Sequence, residues 1–115
     1  MSTEDVARMD ILTAAFSGTR HDLVVGKQIG VELDENPSTG YRWQPVVDAD
    51  ALRVDDDGFT PASDATGAPG HHRFTVTAVR EGAAELRFRE VRSWDPDVSV
   101  DEFAVTLDVS RAPSR

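Results

Sequence analysis

The chain has no cysteine, which removes disulfides, thiolate metal ligands and a cysteine nucleophile. It is also short of positive charge: 12 Lys and Arg stand against 21 Asp and Glu, for a net charge of -9. Nucleic acids and anionic membranes bind largely through basic patches, so neither is expected as a partner. No apolar run approaches the roughly 20 residues of a membrane-spanning helix. The acidic start Met1-Ser2-Thr3-Glu4-Asp5, with Ala14-Ala15-Phe16 as its longest apolar run, does not read as a secretory signal. A cytoplasmic location is the expectation, or a periplasmic or secreted one where a leader has been removed.

Catalytic equipment is equally scarce. No Gly-x-Ser-x-Gly nucleophile motif occurs. His71 and His72 are adjacent, so on a strand they point to opposite faces and make a poor ligand pair; one exposed and one packed histidine is expected. Asp55-Asp56-Asp57-Gly58 lacks the alternating ligand spacing and downstream Glu of a calcium loop, and reads as a solvated turn. The hydroxyls of Ser38 and Thr39 have no evident base beside them. The chain therefore reads as a non-enzyme that needs no cofactor and no metal.

What is present is a pattern of period two. Ile29, Val31 and Leu33 alternate with polar or small residues, as do Tyr41, Trp43 and Pro45, then Phe74, Val76 and Ala78. Leu86 and Phe88, and Phe103, Val105, Leu107 and Val109, continue it, with Leu23 to Val25 and Leu52 to Val54 as shorter candidates. About seven short strands, punctuated by turns such as Glu81-Gly82, predict an all-β, immunoglobulin-like antiparallel β-sandwich over residues 21–112, with Trp43 as its large core aromatic. A closed barrel is the alternative, since alternation alone does not separate the two. Asp55 to Gly70 reads as a long loop around Phe59. Residues 1–20 stand apart as an N-terminal extension, helical or disordered: Val6, Met9, Leu12 and Phe16 are spaced loosely like a helix face that Ser2 or Thr3 could cap. At 115 residues with 39% hydrophobic content, one domain and one core are expected, and the chain reads as a monomer.

Three loops stand out. In Asn36-Pro37-Ser38-Thr39-Gly40-Tyr41, Pro37 fixes its own φ and pushes Asn36 toward an extended conformation. Gly40 can take a positive φ, and Asn36 can bond its side chain to the backbone just ahead. The product is a stiff loop with a narrow tip. Gly67-Ala68-Pro69-Gly70 precedes the strand of Phe74. Arg92-Ser93-Trp94-Asp95-Pro96 follows the strand of Phe88 and carries a Trp outside the alternating runs, a residue type enriched in binding hot spots.

In this order the three motifs resemble those of the chagasin family of cysteine peptidase inhibitors, inhibitor family I42. That family carries Asn-Pro-Thr-Thr-Gly-Tyr/Phe, a Gly-rich loop and Arg-Pro-Trp. Here they stand as Asn36 to Tyr41, Gly67 to Gly70 and Arg92-Ser93-Trp94, with Trp43 matching the family's strand Trp, over about residues 22 to 110. Ser38 replaces the first Thr and keeps its hydroxyl. Ser93 replaces the Pro, which loosens the loop holding Trp94. The resemblance implies an immunoglobulin-like sandwich whose three loops form a wedge at one end. It implies reversible, non-covalent occlusion of papain-like (clan CA) peptidases. Asn36 to Tyr41 would enter the active-site groove with Thr39 near the catalytic cysteine. Gly67, Ala68, Pro69 and Gly70 would grip one rim; Arg92, Ser93 and Trp94 the other, with Trp94 stacked on an aromatic of the enzyme. The alternative is a non-inhibitory immunoglobulin-like interaction module, because a fold alone does not assign a function.

Overall fold

The computed structural model describes residues 10–111. Eight strands form two four-stranded sheets. They are β1 (Ile11–Leu12), β2 (Arg20–Val24), β3 (Gln28–Glu35), β4 (Tyr41–Val46), β5 (Leu52–Pro61), β6 (Gly70–Ala78), β7 (Gly82–Arg92) and β8 (Asp95–Ser110). One sheet has the order β1-β3-β6-β5 and the other β2-β8-β7-β4. Alternation puts one face of each strand inward, and the two inward faces share one core. Val31, Leu33, Phe74 and Val76 face it from the first sheet, and Leu86, Phe88, Phe103, Val105 and Leu107 from the second. Phe74 and Phe88 meet across the layers with centroids 4.6 Å apart. Trp43 is buried in the same cluster, as expected.

Three expectations need correction. The helix-like spacing near the N-terminus does not give a helix where the structure describes it. Leu12 lies in β1, buried and paired in parallel with β3, and Phe16 ends a short 3-10 turn over Ala14–Phe16. Burial against β3 outweighs a helix too short to hold itself; Val6 and Met9 lie outside the described residues. The sheets are also mixed rather than purely antiparallel, since the edge strands β1 and β2 run parallel to β3 and β8. Finally, Asp55 to Pro61 is strand, not loop. β5 continues through it beside β6, with a β-bulge between Asp56 and Gly58.

Register places the three loops together. Glu35, Gly70 and Pro61 lie side by side at one end of the first sheet, and Tyr41, Arg92 and Asp95 at one end of the second. The connections that leave these residues therefore share one end of the sandwich. The β5–β6 and β7–β8 connections stay within a sheet. The β3–β4 connection crosses from one sheet to the other.

Candidate functional site

The first loop, between β3 and β4, is fixed from within. Asn36 is extended, with φ −119° and ψ 101°, and its Oδ1 accepts from the Ser38 N–H at 3.1 Å and the Ser38 hydroxyl at 2.7 Å. Pro37 opens a single 3-10 turn, Pro37–Thr39, and Gly40 closes it at φ 80°, where a side chain would be strained. The Thr39 hydroxyl donates to the Asn36 carbonyl at 2.8 Å and accepts from the Tyr41 N–H at 3.2 Å. Ser38 and Thr39 are exposed at the tip, yet both hydroxyls are committed inside the loop.

The second loop spans residues 62–69, closed by the Ala62 N–H donating to the Pro69 carbonyl at 2.9 Å. Gly67, at φ 73°, lies against the first loop: a Cβ there would sit 3.7 Å from the Ser38 Cβ. The four residues of this motif divide. Gly67 and Pro69 are exposed, while Ala68 is buried and Gly70 is the first residue of β6. A Cβ on Gly70 would collide with the Thr60 carbonyl and press on Phe59, so its smallness serves the β5–β6 pairing rather than a rim.

The third loop is the tight Ser93-Trp94 turn of the β7–β8 hairpin, whose flanking residues Arg92 and Asp95 pair. Trp94 is 71% exposed and stands out from the sandwich end. Its ring lies over Gly40, where an added Cβ would come within 2.6 Å of Cη2. Arg92 turns inward to the first loop. Its Nε donates to the Thr39 carbonyl at 3.1 Å, and its guanidinium sits 4.2 Å from the Tyr41 ring centroid and 5.7 Å from that of Trp94. The structure thus brings Asn36 to Tyr41, Gly67 and Arg92 to Trp94 into one ridge, braced by cross-loop contacts.

Beneath the ridge lies a cluster that the loop motifs do not announce. His72 is buried and His71 is not, as their adjacency predicts. Glu35 is buried too. Its carboxylate faces His72 Nδ1 at 3.0 Å and accepts from the Trp43 N–H at 2.8 Å. His72 Nε2 lies 2.6 Å from Asp56 Oδ1, so Asp56 is a partnered carboxylate rather than part of a solvated turn. The bulge at Asp56 turns that side chain toward the histidine, and the Gly58 N–H donates to it at 2.8 Å. Burial acts to raise the Asp56 carboxyl pKa. The His72 and Gly58 hydrogen bonds, with the His72 and Arg42 charges, outweigh it and hold the value below the ordinary one. Asp56 therefore stabilises the fold above its unfolded pKa, and that contribution is lost as pH falls through the lowered value. On β7, burial first, then the charges of Asp101 and Glu35, pushes Glu90 upward. A signal for Glu35 and His72 exists in the sequence: each continues the inward period-two stripe of its strand, after Val31 and Leu33 and before Phe74 and Val76.

Known proteins resemble this chain in sequence and in fold. Chagasin of Trypanosoma cruzi is 27% identical over 103 residues, covering 84% of this chain and 94% of that protein. The cysteine protease inhibitor EhICP2 of Entamoeba histolytica superposes with a TM-score of 0.75 at 16% identity, covering 89% of this chain and 95% of that one. PbICP-C, solved in complex with falcipain-2, gives a TM-score of 0.60 at 15% identity over 89% of this chain and 91% of its own. These two structural likenesses carry the fold. The family model of the chagasin family peptidase inhibitor I42 matches residues 22–109. The family is one of inhibitors, not of enzymes, and with most of its length inside that match this chain belongs to the chagasin family of peptidase inhibitors.

Proposed function

We propose that this chain inhibits papain-like cysteine peptidases reversibly, by lowering the ridge into the active-site cleft with the first loop at its centre. The observation that carries the reading is the brace between loops: Arg92 on the Thr39 carbonyl, Trp94 over Gly40 and Gly67 beside Ser38. A ridge held this way before contact loses little ordering entropy on binding. The tip offers no free nucleophile and no leaving group, since the Ser38 and Thr39 hydroxyls are already bonded within the loop. Inhibition is then occlusion without turnover. Exposed Trp94 supplies apolar area on one flank with few rotors to freeze, and Gly67 lets the backbone come close on the other. The bound form of PbICP-C with falcipain-2 is consistent with a family surface that meets such an enzyme.

Titration against papain and a cathepsin L-like enzyme with a fluorogenic substrate tests this directly. Stoichiometric, reversible inhibition is expected, with the inhibitor recovered at unchanged mass. No inhibition at micromolar concentration leaves the interaction-module reading in its place.

A further inference from the structure

The first loop has an unusual problem of support. Its stems, β3 and β4, belong to different sheets, so no ladder of backbone hydrogen bonds sets the distance between them. In the third loop the β7–β8 pairing does that work, with register running from Gly82 and Val109 up to Arg92 and Asp95. Side chains must do it for the first loop. Glu35 is the last residue of β3 and the residue directly before Asn36. Its Oε2 accepts from the N–H of Trp43, on the other stem, and the Trp43 indole N–H returns to the Asp34 carbonyl at 2.7 Å. Both stems are thus tied to each other through one carboxylate and one indole.

That carboxylate is in turn held by His72. Nδ1 lies 3.0 and 3.1 Å from its two oxygens, Nε2 reaches Asp56, and the ring stacks flat on Phe74 with centroids 4.4 Å apart and planes 3° from parallel. One imidazole therefore connects β3, β5 and β6, and through Glu35 it connects β4. Both ring nitrogens are engaged, Nδ1 by the Glu35 carboxyl and Nε2 by that of Asp56. Such a cluster is a poor way to stabilise a core. Well-packed apolar residues of similar volume commonly do as well or better, whereas in some proteins a buried polar group fixes a unique geometry. Two inward stripes that are apolar along their length turn polar only at the end that carries the loops.

We propose that Glu35 and His72 are positioning residues of the inhibitory ridge, fixing the spacing of the first loop's stems and with it the placement of Thr39. The proposal rests on the inhibitor reading above and adds to it the device that presents the tip. Its test separates placement from stability. In the double variant Glu35→Leu/His72→Phe the buried pair is replaced by apolar groups and the stack on Phe74 is kept. The Trp43 N–H loses its acceptor and Asp56 its imidazole, so the melting temperature should fall modestly while the protein stays folded at the assay temperature, and the inhibition constant for papain should rise about tenfold or more. Relaxation order parameters of the Ser38, Thr39 and Gly40 amides should fall. A folded double variant with unchanged inhibition constant and unchanged order parameters overturns the proposal. Should the double variant not fold, Glu35→Gln decides. It is isosteric but puts an amide N–H in place of one of the two oxygens that face the Trp43 N–H and His72 Nδ1, and it should raise the inhibition constant and loosen the same amides; no change in either overturns the proposal. A parent protein that does not inhibit at all sinks the inhibitor reading alone, and the order parameters still decide the positioning.

Discussion

The first and third loops are neighbours on the ridge, yet they are built on opposite principles. The third stands on the β7–β8 ladder but has little inside it: Trp94 leans on Gly40 beside the Arg92 guanidinium and is largely open to solvent. The first crosses between sheets and has no ladder, but the Asn36 side-chain oxygen and the Ser38 and Thr39 hydroxyls are all bonded within it. The difference teaches that stiffness here comes from two sources. Backbone pairing positions a loop as a whole, and side-chain-to-backbone bonds fix its tip. A narrow element meant for a cleft needs the second kind. A flanking aromatic that settles onto a partner's surface can manage with the first.

The largest expected effect breaks the first loop's narrowness. Thr39→Arg places a long charged side chain on the tip and should cost at least about 100-fold in the inhibition constant. Equal inhibition by this variant would move the contact away from the first loop. Trp94→Ala should come next, at about 2 kcal/mol or more, the scale of a buried interface anchor. An unchanged constant would mean that the third loop stays out of the complex. Gly40→Ala sharpens the comparison, because it touches both loops. The left-handed φ costs about 1 kcal/mol for a residue with a Cβ, and the new methyl must displace the Trp94 indole. In a double-mutant cycle the Gly40→Ala penalty should shrink when Trp94 is already Ala; strict additivity would show that the two loops do not brace each other. The smallest effect is a gain. Ser93 opens the tight turn after an extended Arg92, has no positive φ, and donates no backbone hydrogen bond from its N–H. Proline fits the first turn position and should stiffen it by about 0.4–1 kcal/mol, a tightening of a few-fold read in the dissociation rate. A weaker complex would show that the third loop must move to bind.

Much of this architecture is written in the period-two stripes. Ile29, Val31 and Leu33, or Phe103 through Val109, bury one face so consistently that strand, facing and core follow from hydrophobicity alone. The first loop is equally plain, because Pro37 restricts φ, Gly40 takes a positive φ without strain and Asn36 caps the backbone ahead of it, and the structure uses all three. Three features resist. Ile11–Leu12 is too short to show a period, and only its distant partner β3 makes it a strand. Asp55, Asp56 and Asp57 interrupt the alternation of β5, and charge hides a strand whose bulge carries Asp56 to His72. Gly70 reads as a flexible loop residue, whereas its role is to let β6 pass close to the Thr60 carbonyl. In each case the deciding contact lies far away in sequence. Glu35 and His72 are the instructive middle ground: their facing is legible from the stripe, but their partnership depends on register across two strands.

The chain's lack of cysteine gives the central claim a clean assay. Iodoacetamide alkylates the thiolate of a papain-like enzyme and finds no thiol on this protein. With papain saturated by this chain, the alkylation rate of the catalytic cysteine should fall in proportion to the fraction bound and recover on dilution. Full alkylation at the free-enzyme rate in the saturated complex would contradict the placement of the first loop over that cysteine.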